Sequence, residues 1–316
     1  MSNTNQHSVR TGHVESLNGG RWQRVLGNDP ELLTRIREDY GADLHGAASS
    51  PFSENGDYIV LAVSYVDRTT AAFTETSIVL AVGPDRIITL EPFDGCAPLD
   101  LALSRMERDG RENDSPIEIA ASVIESVADT TDQLVGSLND GTEHMMAQSN
   151  AILRSLETKK ARDFGVSDVT DTQQELADME ELLSYCMESQ LVLAESARHL
   201  RGLTGDRDWD NRTDLDRLIE DVEAIEPHIE FVHDRVRLLQ QTNNLALNVK
   251  QNQIIKVFSV VTAVFLPVML LSTYYSMNFE FMPILGWQYA EPAIIVLSFF
   301  FAMLPLLYVR RRGWLR

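Results

Sequence analysis

Two stretches near the C-terminal end interrupt an otherwise mixed pattern of apolar and polar positions. Val257 to Tyr275 is 19 residues without a charge, and Pro292 to Val309 is another 18. At about 1.5 Å per helical residue, each is long enough to cross a hydrocarbon core of about 30 Å. Aromatic residues flank them: Tyr274, Tyr275 and Trp287 at one edge, Tyr308 and Trp314 at the other, as at a membrane–water boundary. The pattern predicts transmembrane helices over 257–275 and 292–309. The loop between them, 276–291, has Glu280 and Glu291 but no Lys or Arg. Lys256 precedes the first span, and Arg310, Arg311 and Arg312 follow the second in a basic tail, 310–316. The positive-inside rule then predicts a multi-pass protein of the inner (plasma) membrane, with both termini cytoplasmic and the loop outside.

The preceding 256 residues read as a folded cytoplasmic body. Residues 1–20 are polar, lack the apolar core of a signal peptide, and are expected to form a disordered tail. An α/β domain is expected over 21–114. In it, Asp29-Pro30 starts a helix to Tyr40, and the apolar run Asp57 to Val66 reads as a buried strand. Ala71 to Val82 and Arg86 to Glu91 are further strands, the last following a Gly83-Pro84-Asp85 turn. A helical hairpin is expected over 115–204. Ser115-Pro116 with Glu118 opens a helix to about Leu156, with interruptions expected at Gly136 and Gly141. A second helix runs from about Asp171 to Leu203 and is expected to break at Gly205.

From 205 to 256 the spacing becomes that of a stalk. Leu215, Leu218, Val222, Ile225, Ile229, Val232, Val236 and Leu239 recur at alternating intervals of three and four, a heptad seam that continues through Asn243, Ala246 and Lys250. Only Pro227 interrupts it. The simplest reading is one helix of roughly 60 residues, about 90 Å long, entering the bilayer. Its seam serves either a bundle within the chain or a symmetric oligomer around an axis.

Extending the same rhythm into the first span selects Asn252, Ile255, Ser259, Thr262, Leu266, Met269 and Thr273. Hydroxyl and amide rings would face a hydrated ion, and Leu and Met rings would form a dewetting gate. Two spans cannot enclose such a pathway alone, so it requires a ring of chains. The competing reading is back-bonded hydroxyls and close packing between spans.

Charge sharpens the division between body and spans. The 316 residues carry 27 Lys+Arg against 47 Asp+Glu, net -20. Residues 251–316 are +3, which leaves -23 on the body. This excludes phosphate-neutralising nucleic-acid binding. Cys96 and Cys186 are too few for a disulfide framework and suit a reducing compartment.

Tyr275-Ser-Met-Asn-Phe-Glu-Phe-Met-Pro283 resembles the CorA-type divalent metal ion transporter family, whose first span ends in Tyr-Gly-Met-Asn. Phe265, Pro267, Asn252, Lys256 and the basic-Trp-Leu ending fit the same family. The resemblance implies a funnel-shaped homopentamer: an α/β cytoplasmic domain, a stalk helix continuous with the pore-lining span, and a second span outside it. Ser276, Met277, Asn278 and Glu280 would mark ion entry, with Asn278 forming a ring of amide oxygens. Ser276 replaces the family's glycine and Ile284 an acidic residue, while Gly286-Trp-Gln-Tyr289 is more similar to the zinc-transporting ZntB branch. The ion is therefore left between Mg2+ and Zn2+, with Co2+ and Ni2+ as further candidates. The alternative reading is a CorA-like sensor or scaffold with little conduction.

In this family cytosolic divalent ions bridge acidic residues between protomers. Asp208, Asp210, Asp214 and Asp216 are candidates, set against simple solubility. Asp206-x-Asp208-x-Asp210 fails as a calcium loop at Asn211 and Arg217. Glu230-x-x-His233 lacks the second pair that di-iron chemistry needs. The histidines show no hydrolase arrangement. The expectation is a transporter and not an enzyme, with the divalent ion as substrate and regulator and no cofactor.

Overall fold

The computed structural model describes residues 13–27, 29–45, 52–68, 73–91, 95–111, 114–157, 166–206, 214–277 and 286–311. The chain divides into two compact units, Met1–Gln148 with Thr172–Gln240, and Ser149–Asp171 with Gln241–Arg316.

The first unit is built on one six-stranded sheet. Its strands are β1 (His13–Leu17), β2 (Trp22–Leu26), β3 (Phe52–Asn55), β4 (Tyr58–Arg68), β5 (Phe73–Val82) and β6 (Ile87–Glu91), in spatial order β1-β2-β6-β5-β4-β3. Among the described residues only β2 and β6 pair in parallel; Trp22 lies opposite Ile87. The apolar run of β4 follows from burial on both faces. Ile59, Leu61, Val63 and Tyr65 join one core with Ile78, Leu80 and Val82 of β5. Tyr58 and Val60 join the other core with Val79 and Ala81.

The smaller core is covered by α1 (Pro30–Tyr40), through Leu33 and Ile36. Asp29 caps α1 by accepting the Glu31 N–H at 3.1 Å. At the β5–β6 turn, Gly83 N–H donates to the Arg86 carbonyl at 2.9 Å. A Cβ at Gly83 would stand 2.6 Å from Cε1 of Tyr58, so the close approach requires glycine.

The larger core receives α2 (Ala97–Arg108), α3 (Pro116–Glu157), α4 (Val166–Asp206), α5 (Leu215–Glu223) and the first turns of α6 (Glu226–Ser276). The capping box at the start of α3 forms as the sequence predicts. Ser115 N–H donates to Glu118 Oε2 at 2.7 Å, and Glu118 N–H to Ser115 Oγ at 3.3 Å.

Four expectations need correction. Residues 13–20, assigned to the tail, form β1 and a tight 3-10 turn at Asn18–Gly20. They pair with the apolar strand β2, and that tertiary pairing outweighs their polar composition. Gly136 and Gly141 do not interrupt α3, because a single helical glycine costs only about 1 kcal/mol and packing compensates. Gly205 does not end α4, which reaches Asp206. Lastly, the helical stretch of 62 residues, Leu215–Ser276, is interrupted not at Pro227 but just before it. Ala224 and Ile225 form a turn between α5 and α6. Pro227, without an N–H, falls in the first turn of α6, where that donor is not needed.

The heptad seam is an intrachain core. Leu215, Leu218, Val222, Ile225, Ile229, Val232, Val236 and Leu239 are all buried in the larger cluster. Side-chain pairs reinforce it: His228 Nδ1 meets Asp132 Oδ1 at 2.9 Å, and Arg235 donates to Asn139 Oδ1 at 2.6 Å.

Both cysteines are free and buried. Burial pushes the thiols of Cys96 and Cys186 up to about 12. At pH 8 they are therefore protonated and enclosed. An alkylating reagent is expected to label neither in the folded protein and both after denaturation. Rapid labelling of the native protein, followed by intact mass, would contradict this burial.

Candidate ion pathway

Helices α6 and α7 (Ala290–Arg311) are long and apolar enough to cross a membrane. Helix α6 has 51 residues, about 77 Å at about 1.5 Å per residue. The apolar window of α6 has none of its residues buried. In water such a surface would be unstable, and lipid or partner chains must cover it.

Exposure nevertheless differs by face. Val260, Val264, Pro267, Val268, Leu271 and Tyr275 are half-buried. At about 100° per residue these lie roughly 150° away from Leu266, on one stripe. Asn252, Ile255, Ser259, Thr262, Leu266, Met269 and Thr273 are all exposed and occupy the opposite side. The seven positions selected by spacing thus share one helix face, and that face is uncovered within the single chain.

Exposed apolar residues also occur on α6 outside the positions that sequence reasoning identified. Phe231, Leu238 and Leu245 are exposed large apolar residues on α6. They precede Asn252, Ser259, Leu266 and Thr273 at intervals of seven. The signal was present as a second heptad beside the buried one. Arg235 covers part of Phe231, its guanidinium 5.9 Å from the ring centre. No carboxylate occurs between Asp234 and Glu280. The face offers only hydroxyl, amide, thioether and aliphatic groups.

At the far end of α6, Ser276 Oγ donates to the Thr273 carbonyl at 2.9 Å. This back-bond closes the last turn, and the exposed Met277 follows it. Asn278 and Glu280 lie outside the described residues. Tyr274 and Tyr275 stack edge-on at 5.3 Å, and Trp287 and Tyr289 at 6.4 Å. These aromatics sit at the ends of the apolar stretches, as a membrane boundary favours. Lys256, Arg310 and Arg311 are exposed near the other ends; Arg312 is outside the described residues.

Of the four aspartates, Asp214 and Asp216 are among the described residues, and each has a partner within the chain. Asp214 caps α5, accepting the Arg217 N–H at 3.2 Å. Asp216 pairs with Arg201 at 2.9 Å. Asp208 and Asp210 lie outside the described residues. Among the described residues no group of three His, Cys, Asp or Glu side chains could hold a metal ion.

Comparison with known proteins places these features in context. The family described as "CorA-like Mg2+ transporter protein" matches residues 18–311. A "Magnesium transport protein CorA" of Haemophilus ducreyi is 31% identical over 252 residues, 79% of this chain and 73% of that protein. The protein of the same description in Escherichia coli K12 is 42% identical over 98 residues, 31% of either chain. The complete CorA magnesium transporter structure from Methanocaldococcus jannaschii superposes with a TM-score of 0.63 at 15% identity, covering 93% of this chain and 90% of that one. The full-length CmaX protein gives 0.57 at 15% identity, covering 93% and 88%. These two likenesses establish the shared fold.

Proposed function

This chain belongs to the CorA-like Mg2+ transporter family, membrane transporters of divalent cations, and from that premise we propose that it conducts hydrated Mg2+ along the axis of a homopentamer. The carrying observation is the uncovered face of α6, from Asn252 to Thr273, opposite the half-buried stripe. Neutral oxygen groups and the absence of carboxylates suit an ion that keeps its water shell. Mg2+ dehydrates reluctantly and tolerates such outer contacts. Zn2+ prefers direct Cys, His or carboxylate ligands, and the face has none. Met269 does not redress this, since a thioether favours Cu(I).

In this reading Asn278 forms the external amide ring, with Ser276, Met277 and Glu280 beside it, and Leu266 and Met269 are the constrictions. The protein sits in the inner membrane with both termini cytoplasmic, supported by the basic ends of the spans and the acidic loop. Cytosolic cations at Asp208, Asp210, Asp214 and Asp216 would bridge neighbouring chains, relieving repulsion between bodies of -23.

Competitive uptake into proteoliposomes tests the proposal, with Mg2+, Zn2+, Co2+ and Ni2+ offered to wild type and Asn278→Ala. The expected result is Mg2+ uptake in wild type and a loss of at least about tenfold in the variant, one charge-assisted hydrogen bond's worth. Uptake of Zn2+ alone would reassign the ion. Equal uptake in both proteins would remove the amide ring, and wild-type flux at background would favour a sensor.

A further inference from the structure

The turn between α5 and α6 borders a small cavity of about 40 Å3 that the transport reading does not use. Gln190 of α4 lines it and is only 3% exposed. Its Nε2 donates to the Val222 carbonyl at 2.5 Å, which fixes the amide plane. Its Oε1 is buried and receives no hydrogen bond. Leaving a buried acceptor unpaired is destabilising, so the site is incomplete as it stands and calls for a donor.

The rest of the lining defines the kind of donor. Glu223 and Glu226 flank the turn and face the same cavity. Arg198 spends both its Nε and Nη2 contacts on Glu223 Oε1, at 3.1 and 2.6 Å, which leaves Oε2 of that carboxylate without a share in the pair. Two carboxylates against one guanidinium leave a net charge of -1. Met187, Ala194 and Ile229 supply apolar wall, and Leu191, 57% exposed, extends it outward. A divalent metal ion suits neither the single net charge nor the aliphatic wall. A water molecule alone needs only about 10–15 Å3 by the same measure and leaves both the charge and the wall unused.

We propose that the cavity binds a primary alkylammonium group, the end of an aliphatic diamine or polyamine. Its –NH3+ brings three donors and no acceptor, matching Gln190 Oε1 and the two carboxylates. Its first methylenes pack on Met187 and Leu191. Any further ammonium groups along the chain meet a body of charge -23. Bound there, the amine bridges α4 to both sides of the turn at Ala224 and Ile225, fixing the angle at which α6 leaves the core.

Isothermal titration of the full-length protein in detergent with cadaverine tests this, with tetramethylammonium at matched ionic strength as the comparison titrant. The expected result is saturable cadaverine binding. It weakens by about tenfold or more in Glu226→Gln and in Gln190→Met, as the loss of one hydrogen bond to a charged group predicts. It is unchanged in Glu220→Gln, which removes an exposed carboxylate of α5 outside the cavity. Glu226 is exposed, so its variant folds even where Gln190→Met does not. Equal weakening in Glu220→Gln, or equal binding of tetramethylammonium, would show general charge screening and overturn the proposal. So would the absence of saturable binding, which is the behaviour of a cavity holding only water.

Discussion

Leu266→Ser should raise divalent-cation flux through reconstituted protein by about tenfold. Leu266 lies near the middle of the uncovered face of α6. A ring of Leu side chains around a narrow axis expels water and imposes a barrier on a hydrated ion. A hydroxyl ring wets the same constriction, and lowering the barrier by about 1.4 kcal/mol gives the tenfold change. Val264→Ser is the matched comparison. It also places a hydroxyl in the span, two residues away, but on the half-buried stripe. Its expected effect is a loss of stability with flux per assembled protein unchanged. Stopped-flow uptake with an indicator dye separates the two, once the amount of protein per vesicle is matched. Similar flux changes in both variants, or none in Leu266→Ser, would move the pathway off this face.

The second large effect is expected on stability, and far from the spans. Arg24 on β2 grips Glu91 on β6 through Nε–Oε1 at 2.8 Å and Nη2–Oε2 at 2.7 Å. Nη2 also lies 2.8 Å from Asp100 Oδ1 at the start of α2. The side chains of Arg24 and Glu91 are 7% and 0% exposed. Burial alone would lower the pKa of Arg24; the hydrogen bonds and charges of Glu91 and Asp100 outweigh it and hold the group firmly protonated. Removing one member leaves the other buried and unpaired, at a cost of about 3–5 kcal/mol. Arg24→Met should therefore lower the thermal midpoint by roughly 6–20 °C, at about 2–4 °C per kcal/mol for a unit of this size. Arg24→Met with Glu91→Leu should recover most of that loss, because no buried charge remains. If the double variant is as unstable as the single one, the pair contributes through packing and not through charge satisfaction.

The parts legible in the sequence are those where one local signal dominates. The two apolar stretches, the Asp29-Pro30 helix start, the Ser115–Glu118 cap and the run Tyr58 to Val66 all carry their own explanation. The parts that were not legible depend on partners distant in the chain. His13 to Leu17 is too polar to announce a strand; it becomes one because β2 offers it an edge. The parallel pairing of β2 with β6 joins residues more than 60 positions apart, which no local pattern encodes. In the stalk the two heptads were superimposed. The stronger one, Leu215 to Leu239, was open to a bundle within the chain or an axis between chains, and it serves the chain's own core. The weaker one, Phe231, Leu238 and Leu245, leaves large apolar side chains exposed. A periodicity states that a face is apolar and does not say what will cover it. The spacing argument for Asn252 to Thr273 gathers the seven residues on one side, since helical geometry alone decides that. Asn278 and Glu280 rest on the family motif, which lies in a loop where periodicity has nothing to say.

The uncovered ridge of α6 also bears on how the protein is made. Phe231, Leu238 and Leu245 belong to a helix that leads into a span, so the ridge comes into being as each chain is synthesised and inserted. A newly made protomer carries it wet. Each such side chain forgoes about 1.5–3 kcal/mol until something covers it, and the exposed surface can recruit unrelated chains in the meantime. In the proposed homopentamer, biogenesis is thus under pressure to bring sister chains together soon after insertion. If that assembly forms, softening the ridge with polar residues would lengthen the life of the solitary protomer, and the membrane would then accumulate subunits waiting for partners.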